Sequence, residues 1–71
     1  MRFGVRVRVM RLVRGFTQED LAAVILVSRT QVSLMESNGW TPDAWHEELI
    51  RTALHWGPAE DAALDVLEGK S

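Results

Sequence analysis

The sequence contains no cysteine, which excludes disulfides, thiol nucleophiles and zinc sites built on thiolates. That absence fits a reducing, intracellular setting. No apolar run approaches the roughly 20 residues needed to cross a bilayer, and arginines interrupt the N-terminal stretch too often for a signal peptide. Repeats, low-complexity tracts and long linkers are also missing. Catalytic signatures are equally scarce. His46-Glu47 begins like a zinc-protease motif, but Ile50 stands where its second histidine belongs. His46 and His55 have no nucleophile near them in the chain, and both are expected on helix surfaces. The expectation is a protein without enzymatic activity, metal, cofactor or small-molecule ligand, since 71 residues leave little room for a pocket beside another module.

What is present suits one soluble, folded domain over residues 1–71. Hydrophobic residues make up 46% of the chain, enough for a modest core and too many for disorder. The net charge of −2 argues at first against a polyanionic partner, but the two halves differ in sign. Residues 1–29 carry six arginines against Glu19 and Asp20, a balance of +4. Residues 30–71 carry Arg51 and Lys70 against eight carboxylates, a balance of −6. A polyanion would be drawn to the first half and repelled by the second.

Turn residues divide the chain into five segments of helical length: Gly15-Phe16-Thr17, Val27-Ser28, Asn38-Gly39-Trp40-Thr41-Pro42 and Gly57-Pro58. The first segment is ambiguous. Val5-Arg6-Val7-Arg8-Val9 alternates as a strand does, while Val5, Val9, Leu12, Val13 and Phe16 fall on one face of a helix. Helix is preferred, ending near Arg14 with Gly15 as its left-handed terminator. Thr17 caps the second helix with Asp20 three residues on, and Leu21, Val24 and Ile25 form its inward stripe. Ser28 and Gln31 make an S-x-x-Q capping box for the third, with Val32 and Met35 inward. Thr41 is expected to cap a fourth helix with Pro42 at its first position. Trp45, Leu49, Thr52/Ala53 and Trp56 mark that helix's buried side, and Trp40 lids the core. A fifth helix from Ala59 to Glu68 presents Ala62, Ala63, Val66 and Leu67. The expected fold class is all-α, compact, with five short helices.

Only Leu26-Val27-Ser28 separates the second and third helices. So short a link makes them cross steeply, which is helix-turn-helix geometry, spanning about residues 17–37 here. In that geometry one helix lies across the phosphate backbone and the next offers its N-terminal residues to base edges. With Val32 and Met35 inward, the third helix turns Arg29, Thr30, Ser33, Leu34 and Ser37 outward, a face without carboxylates.

The stretch "TQEDLAAVILVSRTQVSLMESNG" resembles the lambdoid phage repressor/Cro-type helix-turn-helix, also called the xenobiotic-response-element family. "TQEDLA" and "VSRTQVSLME" stand at that family's spacing, and Gly4, Val7, Arg8, Arg11 and Gly15 match upstream. Pro42 fits the family's habit of opening helix four with proline. The resemblance covers roughly residues 4–43 and implies a lambda-repressor-like domain that binds double-stranded DNA through the major groove. It implies that Arg29 and Thr30 read base edges, with Ser33 and Leu34 one turn further on. Gln18 would hold a phosphate and brace the reading helix, and Thr17, Ser28, Arg14 and Ser37 would lie toward phosphates. Arg11 and Glu36 match a pair that forms a salt bridge between helices one and three.

Two departures carry expectations of their own. Leu26 stands where the family usually has glycine, and leucine takes a positive φ only at a cost. The sequence leaves two outcomes open, a turn kept with Leu26 left-handed or a rebuilt turn with helix two one residue longer. "ESNG" is one residue longer than the usual acidic-Asn-Gly, so the following loop should differ. Helices four and five (about residues 42–68) are expected to complete the core and, through Trp45, Trp56, Val66 and Leu67, to form a homodimer interface. Taken together, the expectation is a small Cro-like or repressor-like regulator of bacterial or phage type, in the cytoplasm or nucleoid, binding a palindromic operator as a dimer. The alternative is a protein-interaction module on the same scaffold, such as an antitoxin or a phage-encoded modifier of host machinery. It draws on the acidic second half, on Leu34 and on Leu26.

Overall fold

A computed structural model describes residues 2–69; Met1, Lys70 and Ser71, which the single-domain expectation includes, lie outside the described residues. Five helices follow one another, α1 (Phe3–Val13), α2 (Gln18–Ile25), α3 (Arg29–Glu36), α4 (Ala44–Ala53) and α5 (Pro58–Leu67), with no strand among the described residues. α2 lies at the centre, against α3 and α4, and α1 packs on α3. The Cα radius of gyration is 11.5 Å, close to the ~11 Å of a compact chain this long. No helix among the described residues is long and apolar enough to cross a membrane.

Capping explains where the helices start. The Thr17 hydroxyl accepts from the Asp20 N–H at 3.0 Å, and the Asp20 carboxylate accepts from the Thr17 N–H at 2.9 Å. Ser28 Oγ accepts from the Gln31 N–H at 3.1 Å; the reciprocal bond, from the Ser28 N–H to the Gln31 side-chain oxygen, is not formed, so only half of that expected box exists. α4 corrects a larger expectation. Its cap is Asp43, which accepts from the His46 N–H at 2.8 Å, while Thr41 is exposed and Pro42 is buried just before the helix. A carboxylate two residues on displaced the hydroxyl as cap. Gly57-Pro58 opens α5 rather than closing α4, with Pro58 at the first helical position and Glu60 accepting from the Gly57 N–H at 2.8 Å.

One device ends the first four helices. A left-handed residue closes each of them, the cap itself in α2 and the residue after the cap in the other three, and the next N–H reaches back five residues: Phe16 to the Arg11 carbonyl at 2.9 Å, Val27 to Ala22 at 3.0 Å, Gly39 to Leu34 at 2.6 Å and Trp56 to Arg51 at 2.8 Å. The left-handed residues are Gly15, Leu26, Asn38 and His55. Leu26 sits at φ 62°, ψ 42°. Of the two outcomes left open for this turn, rebuilding does not occur: α2 stops at Ile25, and Leu26 takes the conformation that glycine would hold.

The core is Val7, Met10, Leu21, Ala22, Ile25, Val32, Met35, Ile50, Leu54, Trp56 and Leu64. Leu21, Ile25, Val32 and Met35 are inward as expected, whereas Val24 is exposed. Of the face expected for α1, Val9, with Phe16 just beyond the helix, is half-buried against the core, but the deeply buried residues lie on the opposite face. Phe3, Gly4, Val7, Met10 and Arg11 turn inward, and Val5, Leu12 and Val13 lie outside. The reason is close approach: a Cβ on Gly4 would land on the Met35 carbonyl oxygen, so only this face lets α1 settle against α3. α4 is rotated too. Ile50 and Leu54 are fully buried and Trp45 is exposed, its ring edge-on to His46 at 4.8 Å. Trp40, half-buried, packs against the core as expected.

α5 buries Leu64 and leaves Ala62, Ala63, Val66 and Leu67 exposed. Ions hold it instead. Arg6 of α1 meets Asp61, Asp65 and Glu68, and Arg51 of α4 meets Asp61 at 3.1 Å. Trp56, 3% exposed, donates its indole N–H to Asp61 at 2.8 Å, stacks on Phe3 at 5.3 Å and lies under the Arg51 guanidinium at 4.5 Å.

Candidate functional site

The buried Arg11–Glu36 pair positions α3. Arg11 Nε and Nη2 donate to the two Glu36 oxygens at 2.7 and 3.1 Å, and Nη1 donates to the Phe16 carbonyl at 2.8 Å. A fork-to-fork pair fixes direction as well as distance, so α1, the α1–α2 turn and the end of α3 are tied in one geometry. Gln18 Nε2 joins from the first turn of α2, donating to Glu36 Oε1 at 3.3 Å. Removing one partner would strand a buried charge.

On this frame α3 turns Arg29, Thr30, Ser33, Leu34 and Ser37 to solvent. Arg29 has no carboxylate partner among the described residues. A shallow groove of about 220 Å3 is lined by Gln18, Arg29, Thr30 and Ser33, which brings three of the four expected base readers beside the expected brace. Leu34, 42% exposed, extends the same helix face. Thr17 and Ser28 accept at their caps, which leaves each hydroxyl proton free to be donated outward.

Two expected phosphate contacts are otherwise engaged. The Ser37 hydroxyl donates back to the Ser33 and Leu34 carbonyls, both at 3.1 Å. Arg14 donates to the Leu54 and His55 carbonyls at 2.8 and 3.1 Å and lies 3.7 Å from Glu60, so it closes the end of α4. Its position after an amphipathic helix gave no sign of partners some 40 residues away. Of the expected dimer residues, Trp45, Val66 and Leu67 are exposed. Trp56 is a core residue and cannot line an interface, because its ring is enclosed by Phe3, Arg51 and Asp61.

A larger depression, about 750 Å3, lies elsewhere, between α4 and the start of α5, lined by Glu47, Glu48, Arg51, Thr52 and His55 among others. It is open and holds no cluster fit for a metal among the described residues. His46, half-buried rather than free on a surface, donates its Nδ1–H to the Asp43 carboxylate at 2.8 Å. His55 lies in the α4–α5 turn. Backbone N–H donors hold three cap carboxyls below the ordinary carboxylate range: Thr17 for Asp20, His46 for Asp43 and Gly57 for Glu60.

Compared with known proteins, the chain matches no protein-family model, no curated protein and no solved structure.

Proposed function

We propose that the chain is a sequence-specific DNA-binding regulator of the repressor/Cro type, with α2 and α3 as its helix-turn-helix. The observation that carries this reading is the exposed α3 face. Arg29, Thr30 and Ser33 converge with Gln18 on one groove, no carboxylate among the described residues pairs with Arg29, and the buried Arg11–Glu36 clamp sits directly behind. Arg29 offers a bidentate fork to guanine, Thr30 and Ser33 offer hydroxyls to base edges, and Leu34 offers a methyl contact to thymine. Gln18, Thr17 and Ser28 position the helix on phosphates. A homodimer would set two such helices about 34 Å apart and match a palindromic operator; Trp45, Val66 and Leu67 are the exposed apolar residues available for it.

Selection of bound fragments from a random duplex pool tests the proposal. An enriched, palindromic sequence is the expected outcome, and no enrichment over the starting pool refutes it. Exposed Leu26 and Leu34, near the two ends of α3, favour a second reading as a protein-binding module. Salt separates the two. DNA binding through several phosphates weakens steeply with salt, whereas apolar docking barely responds.

A further inference from the structure

We infer that Arg8 is a second polyanion anchor, holding a backbone phosphate on the α1 side of α3; the inference rests on the DNA-binding reading above. The arginines in and around α1 divide sharply. Arg6 is held by Asp61 and Asp65 of α5 and by Glu68 just beyond it, Arg11 by Glu36, and Arg14 by the end of α4 and Glu60. Arg8 is exposed and has no carboxylate partner among the described residues. α1 itself contains no acidic residue that could neutralise it. Arg2, also exposed, borders a different depression, beside Trp40 and Pro42.

Place decides the rest. Arg8 lines a groove of about 330 Å3 whose other walls include Gln18, Ser33, Ser37 and the Arg11–Glu36 pair. Gln18 and Ser33 also line the smaller groove that holds Arg29 and Thr30. Arg8 and Arg29 therefore flank one continuous floor, Arg8 from α1 and Arg29 from the start of α3. The single carboxylate on that floor, Glu36, is matched on both oxygens by Arg11 and on one by Gln18. It leaves no unbalanced negative charge to repel a phosphodiester. A base-reading helix seated with Arg29 toward the groove floor brings the adjoining backbone past Arg8, and a guanidinium there suits two phosphate oxygens at once. Arg8 is thus a positioning residue: it sets how α3 lies and reads no base.

The test uses the whole chain with a random-sequence 30-base-pair duplex and with the duplex recovered by selection. Affinity is measured across a salt series for wild type, R8A, R8K and R29A. R8A is expected to lower the salt slope by about 0.9 and weaken binding about eightfold at 0.1 M salt on both duplexes, with base preference unchanged. R8K should restore most of the slope, because it keeps the charge, whereas R29A should change base preference. Far-ultraviolet circular dichroism confirms that R8A is folded, as expected of an exposed position. A wild-type slope with R8A indistinguishable from it overturns the Arg8 inference and leaves the DNA-binding reading standing. Failure of wild type to bind either duplex overturns both.

Discussion

Leu26 holds a left-handed conformation, φ 62° and ψ 42°, with no side-chain compensation. Asn38 does the same at the end of α3, but asparagine tolerates this region. For leucine the clash of Cβ with the following carbonyl costs roughly 1–2 kcal/mol. Substitution to glycine removes the clash, but glycine loses more freedom on folding, worth about 0.4–1 kcal/mol in the opposite direction. Leu26 is 70% exposed, and to cancel its remaining packing the useful comparison is L26G with L26A. Both lose the side chain, and only alanine keeps the clash. L26G should exceed L26A by about 0.5–1 kcal/mol, a Tm difference of about 2–8 °C for a domain this small. The exposed Ala23 in the middle of α2 supplies the opposite sign, since A23G should lose about 1 kcal/mol. Urea denaturation and thermal melts of the four proteins measure it. An L26G no more stable than L26A would refute the account of the turn.

At the end of α4, His55 (φ 49°) should follow the same rule, with H55G more stable than H55A in the same melts. G4A should destabilise by about 1–3 kcal/mol, because its Cβ meets the Met35 carbonyl, and it should do so with little change in helicity. R11M strands Glu36 in the core and should cost about 3–5 kcal/mol in urea unfolding, with R11M/E36L recovering much of it. Lowered pH should destabilise through the caps. Asp20, Asp43 and Glu60 have folded pKa values below their unfolded ones, so their stabilisation is complete above the unfolded carboxylate range, above about pH 5. It disappears as pH falls through the lower folded values, and D20N/D43N should flatten the acid limb of Tm against pH.

Helix number, order and most starts were legible because they depend on local chemistry. Thr17, Ser28 and Gly15 announce their roles by type alone. Two terminators were not legible, since nothing in leucine or histidine marks a left-handed residue. Leu26 and His55 hold that conformation in the short turns that lead into α3 and α5. Asp43 displaced Thr41 as cap because both residue types are good caps and spacing alone does not rank them.

The face of α1 was the deeper failure of periodicity, and it bears on the site. Counting apolar residues favours Val5, Val9, Leu12 and Val13, since the opposite face contains a glycine and an arginine, both poor core markers. Yet Gly4 is what permits the approach to the Met35 carbonyl, and Arg11 is what meets Glu36. The resemblance named the Arg11–Glu36 pair without fixing which way α1 turns; taken together, the pair and the glycine do fix it. Four residues on one face, Gly4, Val7, Met10 and Arg11, then leave Arg8 beside α3 rather than buried under it. The rotation that made the apolar count misleading also sets Arg8 on the rim of the groove.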